Sequence, residues 1–215
     1  MSAVPPEFIR AHTRPGRPLL VPEVTLLVAD DVVALWEALE QGRVDPGSDP
    51  PFWAAAWPGG QALARYVLDH PEVVAGRTVL DLGAGSGLVA VAALLAGAAV
   101  VVASEIDPYG MAAIAVNAEE NGVDPVTIVG DLLDGEPDPG IDVVLAGDVC
   151  YDRAMTERVL PFLGRAWLGG AAVYLGDPGR PYVPRDGDGL VEVAVVDVPD
   201  TEGPQVRRTT VWRLP

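Results

Sequence analysis

The residues with the types and spacing to do chemistry are a few acids, a run of glycines and one acid-tyrosine pair. Asp148 and Tyr151 stand in GDVCYD (Gly147 to Asp152), just after an apolar run that reads as a buried strand. A carboxylate at that place can hold a cation or accept a proton. Tyr151, three residues on, can stack on a cation or orient Asp148 by hydrogen bonding. Plain turn chemistry at Asp148 and a helix N-cap at Asp152 are the competing structural readings. Cys150 lies between them. A nucleophilic thiol needs a base, and the chain's two histidines, His12 and His70, give it no convincing partner, so small-core packing is its expected role.

A second constellation is VLDLGAGSG (Val79 to Gly87), where Gly83, Gly85 and Gly87 follow a strand and open a helix. Glycines there allow a tight turn and a close approach of backbone to ligand. The spacing is G-x-G-x-G, not the G-x-G-x-x-G of a dinucleotide pyrophosphate site. Asp81 precedes the first glycine and suits a ligand with a positive amino group better than a phosphate. Glu105 ends the next strand and can hold both hydroxyls of a ribose. Asp107 behind it reads as a helix cap. Asp131 ends the strand after that, where it either meets an adenine amino group or serves as a turn residue. An amino-binding acid, a ribose-binding acid and no phosphate site describe S-adenosylmethionine. Trp53 and Trp57 precede a Pro-Gly-Gly turn; Trp57 is placed beside the cofactor, and Gly59 and Gly60 permit close approach. GDPGRP (Gly176 to Pro181) is either a rigid turn or a site where Asp177 and Arg180 pair with each other or with substrate. No His, Cys or Asp cluster has metal-ligand spacing.

The elements that must position these groups alternate. EFIRAHT, EVTLLVA and DDVVALWEALEQ read as helix, strand and amphipathic helix, then RVDPGSDPP as a turn-rich connector. These make residues 1–51 an N-terminal extension lying on the domain formed by 52–215. GGQALARYVLDH places Leu63, Tyr66, Val67 and His70 on one helical face. TVLDLG, AVVVASE, VTIVGD, IDVVLAGD and AAVYLGD read as strands. Between them, GLVAVAALLAG closes at Gly97, and DPYGMAAIAVNAEENG carries Asp107 as N-cap and Pro108 at the first helical position. DRAMTERVLPFLGRAW starts as a helix that Pro161 should kink or stop. LVEVAVVDV and QVRRTTVWRLP form a late antiparallel hairpin. Strands alternating with helices imply an open, doubly wound parallel α/β sheet.

Bulk composition narrows the partners. The chain has 215 residues, 49% of them hydrophobic, enough for a large core. Net charge is −17, and all 14 cationic side chains are arginine. Such a chain does not track nucleic-acid phosphates; a basic protein surface suits it better. Without lysine it can form neither a Schiff base nor a P-loop phosphate contact. One cysteine fits a reducing compartment, and no apolar stretch reaches a membrane span, so a cytoplasmic protein with no membrane contact is expected.

FWAAAWPGGQALARYVLDHPEVVAG, VLDLGAGSG, SEIDP, GDVCYD, GDPGRP and TTVW together carry a resemblance over nearly the whole chain. The sequence resembles class I S-adenosylmethionine-dependent methyltransferases. Within them it is similar to the seven-β-strand protein methyltransferases with a D-x-x-Y signature, and to the electron transfer flavoprotein β-subunit lysine methyltransferase family. The resemblance implies a Rossmann-like, mostly parallel seven-stranded sheet with an antiparallel final strand. It also implies methyl transfer to lysine, with Asp81 near the methionine end of S-adenosylmethionine, Glu105 on its ribose, and Asp148 and Tyr151 at the acceptor. The implied partner is a protein substrate, the electron transfer flavoprotein β-subunit or a similar basic loop. A small-molecule amine acceptor and a non-catalytic binding module are the alternatives, and a nicotinamide dehydrogenase is disfavoured by the glycine spacing.

Overall fold

A computed structural model describes residues 4–42, 49–123, 126–184, 189–199 and 206–215. Most of the RVDPGSDPP connector lies outside them. The chain begins with α1 (Pro6–His12), β1 (Arg14–Gly16), β2 (Leu26–Val28) and α2 (Val32–Gly42). Asp31 caps α2 by accepting from the Ala34 amide at 3.0 Å. Then come α3 (Pro58–Asp69), β3 (Thr78–Leu82), α4 (Leu88–Leu95), β4 (Val100–Ser104), α5 (Pro108–Glu120) and β5 (Thr127–Val129). The last elements are β6 (Val143–Gly147), α6 (Arg153–Leu168), β7 (Ala172–Asp177), β8 (Val191–Pro199) and β9 (Val206–Arg213).

Seven of these strands form one sheet in the order β5-β4-β3-β6-β7-β9-β8. Strands β3 to β7 pair in parallel, and β9 runs antiparallel between β7 and β8. This is the doubly wound sheet with an antiparallel final strand expected from the sequence. The period-2 pleat sorts side chains to two faces. Val79, Val143, Leu145 and Tyr174 pack with α3 and α4, while Leu80, Leu82, Val144, Val173 and Leu175 pack under α6. Asp81 therefore shares a face with Val79 and points toward the start of α4.

The N-terminal elements close over α5. Ile9, Leu27, Leu35 and Leu39 form a buried cluster with Trp53, Ala113 and Val116. Arg10 pairs with Glu119 and Glu120. Buried Asn117 ties the layers together: its side chain accepts from the Leu27 amide at 2.8 Å and donates to the Ser86 carbonyl at 2.8 Å.

Two local expectations change. Helix α6 neither stops nor breaks at Pro161, because Val159, Phe162, Leu163 and Ala166 hold both of its halves on the sheet. Leu63 and Val67 are buried as expected, but His70 lies past the end of α3 and is exposed; Gln61, Ala62 and Ala64 complete the buried face, with Gln61 donating to the Ala56 carbonyl at 2.8 Å.

The start of α3 touches the sheet backbone to backbone. A Cβ on Gly59 would sit 2.2 Å from the Gly176 carbonyl, and one on Gly147 would sit 2.9 Å from the backbone of Gly60. No side chain fits, and neither partner can move without leaving its strand or helix. Gly59→Ala is expected to lower the unfolding free energy in urea by about 1–3 kcal/mol or more. Gly164→Ala, in α6 with open space around it, should stabilise by about 0.5–1 kcal/mol. Equal effects from the two would show that the close contact is not a constraint.

Candidate active site

Strand order reverses between β3 and β6, since β4 and β5 extend one way and β7 the other. Open α/β sheets bind ligands beyond the carboxyl ends of the strands at such a point. Here that place is a cavity of about 200 Å³. Trp57, Asp81, Gly83, Gly85, Glu105, Asp131, Asp148 and Tyr151 all line it. Gly87 stands outside the lining as the N-cap of α4, in left-handed backbone (φ 76°), where a Cβ would press on Ile114 at 3.2 Å.

A glycine N-cap leaves the first amides of α4 without a capping side chain. Asp81 supplies one from the strand: its carboxylate accepts from the Ala90 amide at 2.9 Å. The side chain is 2% exposed. Burial pushes its pKa up to about 7, the Ala90 bond opposes this, and nearby Glu105 adds to it. Glu105 is also held by backbone. One oxygen accepts from Gly85 at 2.8 Å; the other accepts from Ile106 at 2.7 Å and Asp107 at 2.8 Å. Burial raises its pKa too, against those three bonds. Among the described residues no arginine pairs with either acid, so one buried and one partly buried acid face the cavity without a resident cation. Glu105 has three of roughly four acceptor positions filled, leaving one for a ligand hydroxyl. An amino- and hydroxyl-bearing cation such as S-adenosylmethionine fits this donor set. A pyrophosphate does not, since both carboxylates would repel it.

Asp148 sits at the end of β6 with φ 61°, in the left-handed region that a non-glycine residue seldom adopts. Its amide donates to the Gly176 carbonyl at 2.9 Å. One carboxylate oxygen accepts from Gly60 in the first turn of α3 at 2.7 Å, and the other accepts from Arg180 at 2.6 Å. Helix α3, whose N-cap Trp57 makes no capping bond, is thus capped from the sheet as α4 is. Burial raises the Asp148 pKa, and Arg180 and the Gly60 and Gly59 amides pull against it. The group that orients Asp148 is therefore Arg180 and not Tyr151. Tyr151 is 41% exposed and leans on Phe52, with ring centroids 5.4 Å apart. Phe52 meets Trp57 edge-on at 6.0 Å, and Trp57 donates to the Phe52 carbonyl at 2.7 Å. These three rings wall the cavity beside Asp148.

Asp131 reaches the rim with both oxygens engaged, by the Leu133 amide at 3.0 Å and Arg158 at 2.8 Å, and Arg158 holds its pKa down. Cys150 is fully buried, and burial pushes its thiol up to about 11, which suits packing and not nucleophilic attack. Phe52 and Arg158 carry little signal in the sequence; the Phe-Trp doublet before the Pro-Gly-Gly turn is the one cue for the first.

Residues 61–149 match the family described as ribosomal protein L11 methyltransferase (PrmA). A methyltransferase structure from Pyrococcus horikoshii superposes with a TM-score of 0.57 at 22% identity, covering 82% of this chain and 94% of that one. The likeness is one of fold; the family match and the sequence relatives place the chain among the methyltransferases. Sequence relatives narrow the class. The electron transfer flavoprotein beta subunit lysine methyltransferase of Danio rerio is 44% identical over 162 residues, 75% of this chain and 62% of that protein. The protein of the same description from Xenopus laevis is 34% identical over 214 residues, 97% of this chain and 86% of its own length. The chain belongs to the electron transfer flavoprotein β-subunit lysine methyltransferase family.

The buried Asp81 has a cost that depends on pH. In the unfolded chain it titrates near 3.9, and in the folded protein near 7. Between those values the folded state binds more protons, so the contribution of Asp81 to stability falls as pH rises through this window and stays low above it. Asp81→Asn keeps an acceptor for the Ala90 amide and removes the charge. Its thermal midpoint without ligand should exceed the native one at pH 8, by about 2–4 °C per kcal/mol relieved. The two should converge toward pH 4. A lower midpoint for the variant at pH 8 would show that the ionised acid is not a strained group.

Proposed function

We propose that this protein transfers methyl groups from S-adenosylmethionine to lysine side chains of the electron transfer flavoprotein β-subunit, or of a similar basic protein loop. The observation that carries the reading is Asp148: a largely covered carboxylate, 12% exposed, at a strand end, walled by aromatic rings and sharing a cavity with the glycine loop and Glu105. Family membership and a net charge of −17, which favours a basic protein partner over nucleic acid, support it. A single buried, unpaired cysteine fits a reducing compartment, in keeping with a cytoplasmic enzyme. Among the described residues no helix is long and apolar enough to cross a membrane.

Bound S-adenosylmethionine supplies an electrophilic methyl group; the chain must supply position and charge. On this reading Asp81 faces the cofactor's amino group, Glu105 its ribose, and Asp131 and Trp57 the rim around it. The acceptor lysine must lose its proton, which costs about 4 kcal/mol near neutral pH. Phe52, Trp57 and Tyr151 lower that cost by excluding water from the ammonium. Asp148 receives the cation and takes its proton, directly or through water, and Tyr151 stacks on the charge that returns with the methylated product.

The purified protein, incubated with the β-subunit and isotopically labelled S-adenosylmethionine, should label lysine on the protein, located by mass spectrometry. Label confined to small amines would refute the protein-acceptor reading. Asp148→Asn should lower kcat by about 100-fold or more, while S-adenosylhomocysteine affinity by calorimetry stays within a few-fold of native. Glu105→Gln should do the reverse, weakening that affinity by about 10-fold or more. Normal turnover by Asp148→Asn would mean that the acceptor site lies elsewhere.

A further inference from the structure

The loop after β7 brings a second pair of charges to Asp148. Arg180 Nη1 lies 2.6 Å from Asp148 Oδ1 and 2.9 Å from Asp177 Oδ2. The Asp177 side chain is fully buried, and Asp148 and Arg180 are 12% and 23% exposed. Asp177 also accepts from the Arg180 amide at 2.7 Å, so it fixes both ends of that residue. One guanidinium nitrogen is thereby shared between two carboxylates. With all three groups ionised the cluster keeps one net negative charge, and Asp148 and Arg180 are the members that line the cavity.

We propose that Arg180 and Asp177 are positioning residues for methyl transfer: Arg180 aims Asp148 into the cavity, and Asp177 keeps the trio at one net negative charge, so that it can seat the acceptor's cation. This rests on Asp148 being the acceptor-side acid. The two partners act on it in opposite directions. Removing the guanidinium leaves Asp148 buried without its cation, and it takes up a proton more readily. Removing the Asp177 charge leaves the whole guanidinium to Asp148, which then keeps its ionised form to lower pH while the trio becomes neutral. Other titratable or charged groups around the trio are the Cys150 thiol, which feels both Asp177 and Arg180, the Tyr151 phenol in the cavity wall, and the cavity-lining Asp81, Glu105, Asp131 and Arg158.

The test measures kcat/KM against pH for the native protein, Arg180→Met, Arg180→Lys and Asp177→Asn. The acceptor is the purified electron transfer flavoprotein β-subunit and the donor is labelled S-adenosylmethionine. The quantity read is the pH below which kcat/KM falls more steeply than deprotonation of the acceptor lysine requires. That break should move up in Arg180→Met and down in Asp177→Asn, with Arg180→Lys between native and Met. Arg180→Met should lose about 100-fold in kcat/KM. In Asp177→Asn the loss should fall mainly on KM for the acceptor, with S-adenosylhomocysteine affinity kept in every variant. Breaks that stay in place, or that move the same way in both variants while activity falls, would reduce the trio to a structural clamp and overturn the proposal. If Arg180→Met does not fold, the Lys and Asn variants carry the same comparison. An inactive Asp148→Asn beside unmoved breaks sinks this proposal alone. A fully active Asp148→Asn sinks the acceptor-site reading and this proposal with it.

Discussion

The site depends on a contact that contains no side chains. Helix α3 begins with its backbone against the ends of β6 and β7, Gly59 on Gly176 and Gly60 on Gly147. That approach aims the open amides of the helix at the strand ends and leaves no room for a conventional N-cap. Buried amides must find an acceptor. The acceptor is Asp148, and reaching the Gly60 amide while donating its own to Gly176 sets it at φ 61°. A non-glycine residue held there costs on the order of 1–3 kcal/mol, a kind of strain found where surrounding structure over-determines it. The glycines thus fix the helix, the helix demands the acid, and the acid's place defines one wall of the cavity.

The same logic recurs one strand over. Helix α4 starts at a glycine, and Asp81 from β3 answers its Ala90 amide. Asp81 and Asp148 are therefore structural caps and cavity acids at once. For Asp81 and Glu105 the amide bonds oppose the burial cost of the charge without cancelling it. A ligand bearing positive charge offsets the remainder, so part of the affinity for such a ligand is relief of a cost already present in the empty protein. Asp148 differs in having a resident guanidinium, but it shares that cation with Asp177, so the trio keeps one net negative charge before any ligand arrives.

Much of this is legible in the sequence because it obeys short-range rules. Strand and helix alternation, Pro108 after Asp107, and the G-x-G-x-G turn each state their local geometry, and Asp107 does accept from the Tyr109 amide at 2.9 Å. Asp81, Glu105 and Asp148 are visible as acids at strand ends, and strand ends in such sheets converge. What is not legible depends on contacts between distant segments. Pro161 lies inside a continuous helix because tertiary packing outweighs a lost backbone bond. Asp177 and Arg180 read equally as a turn or a pair, and only the sheet order shows that β7 lies beside β6 and delivers Arg180 to Asp148. Phe52 needs its position against Tyr151 and Trp57 to be noticed at all.

The double duty of Asp148 decides what its loss can mean. Truncating the side chain removes an acid from the cavity and also uncaps α3, so a dead truncated enzyme says nothing about which function was lost. An asparagine can still accept from the Gly60 amide through its carbonyl oxygen, but it neither carries charge nor takes a proton, and its amide end would face the Arg180 guanidinium. Glycine would relieve the backbone strain and lose both functions. Strain, cap and charge can thus be separated at one position by comparing stability with turnover across these two substitutions.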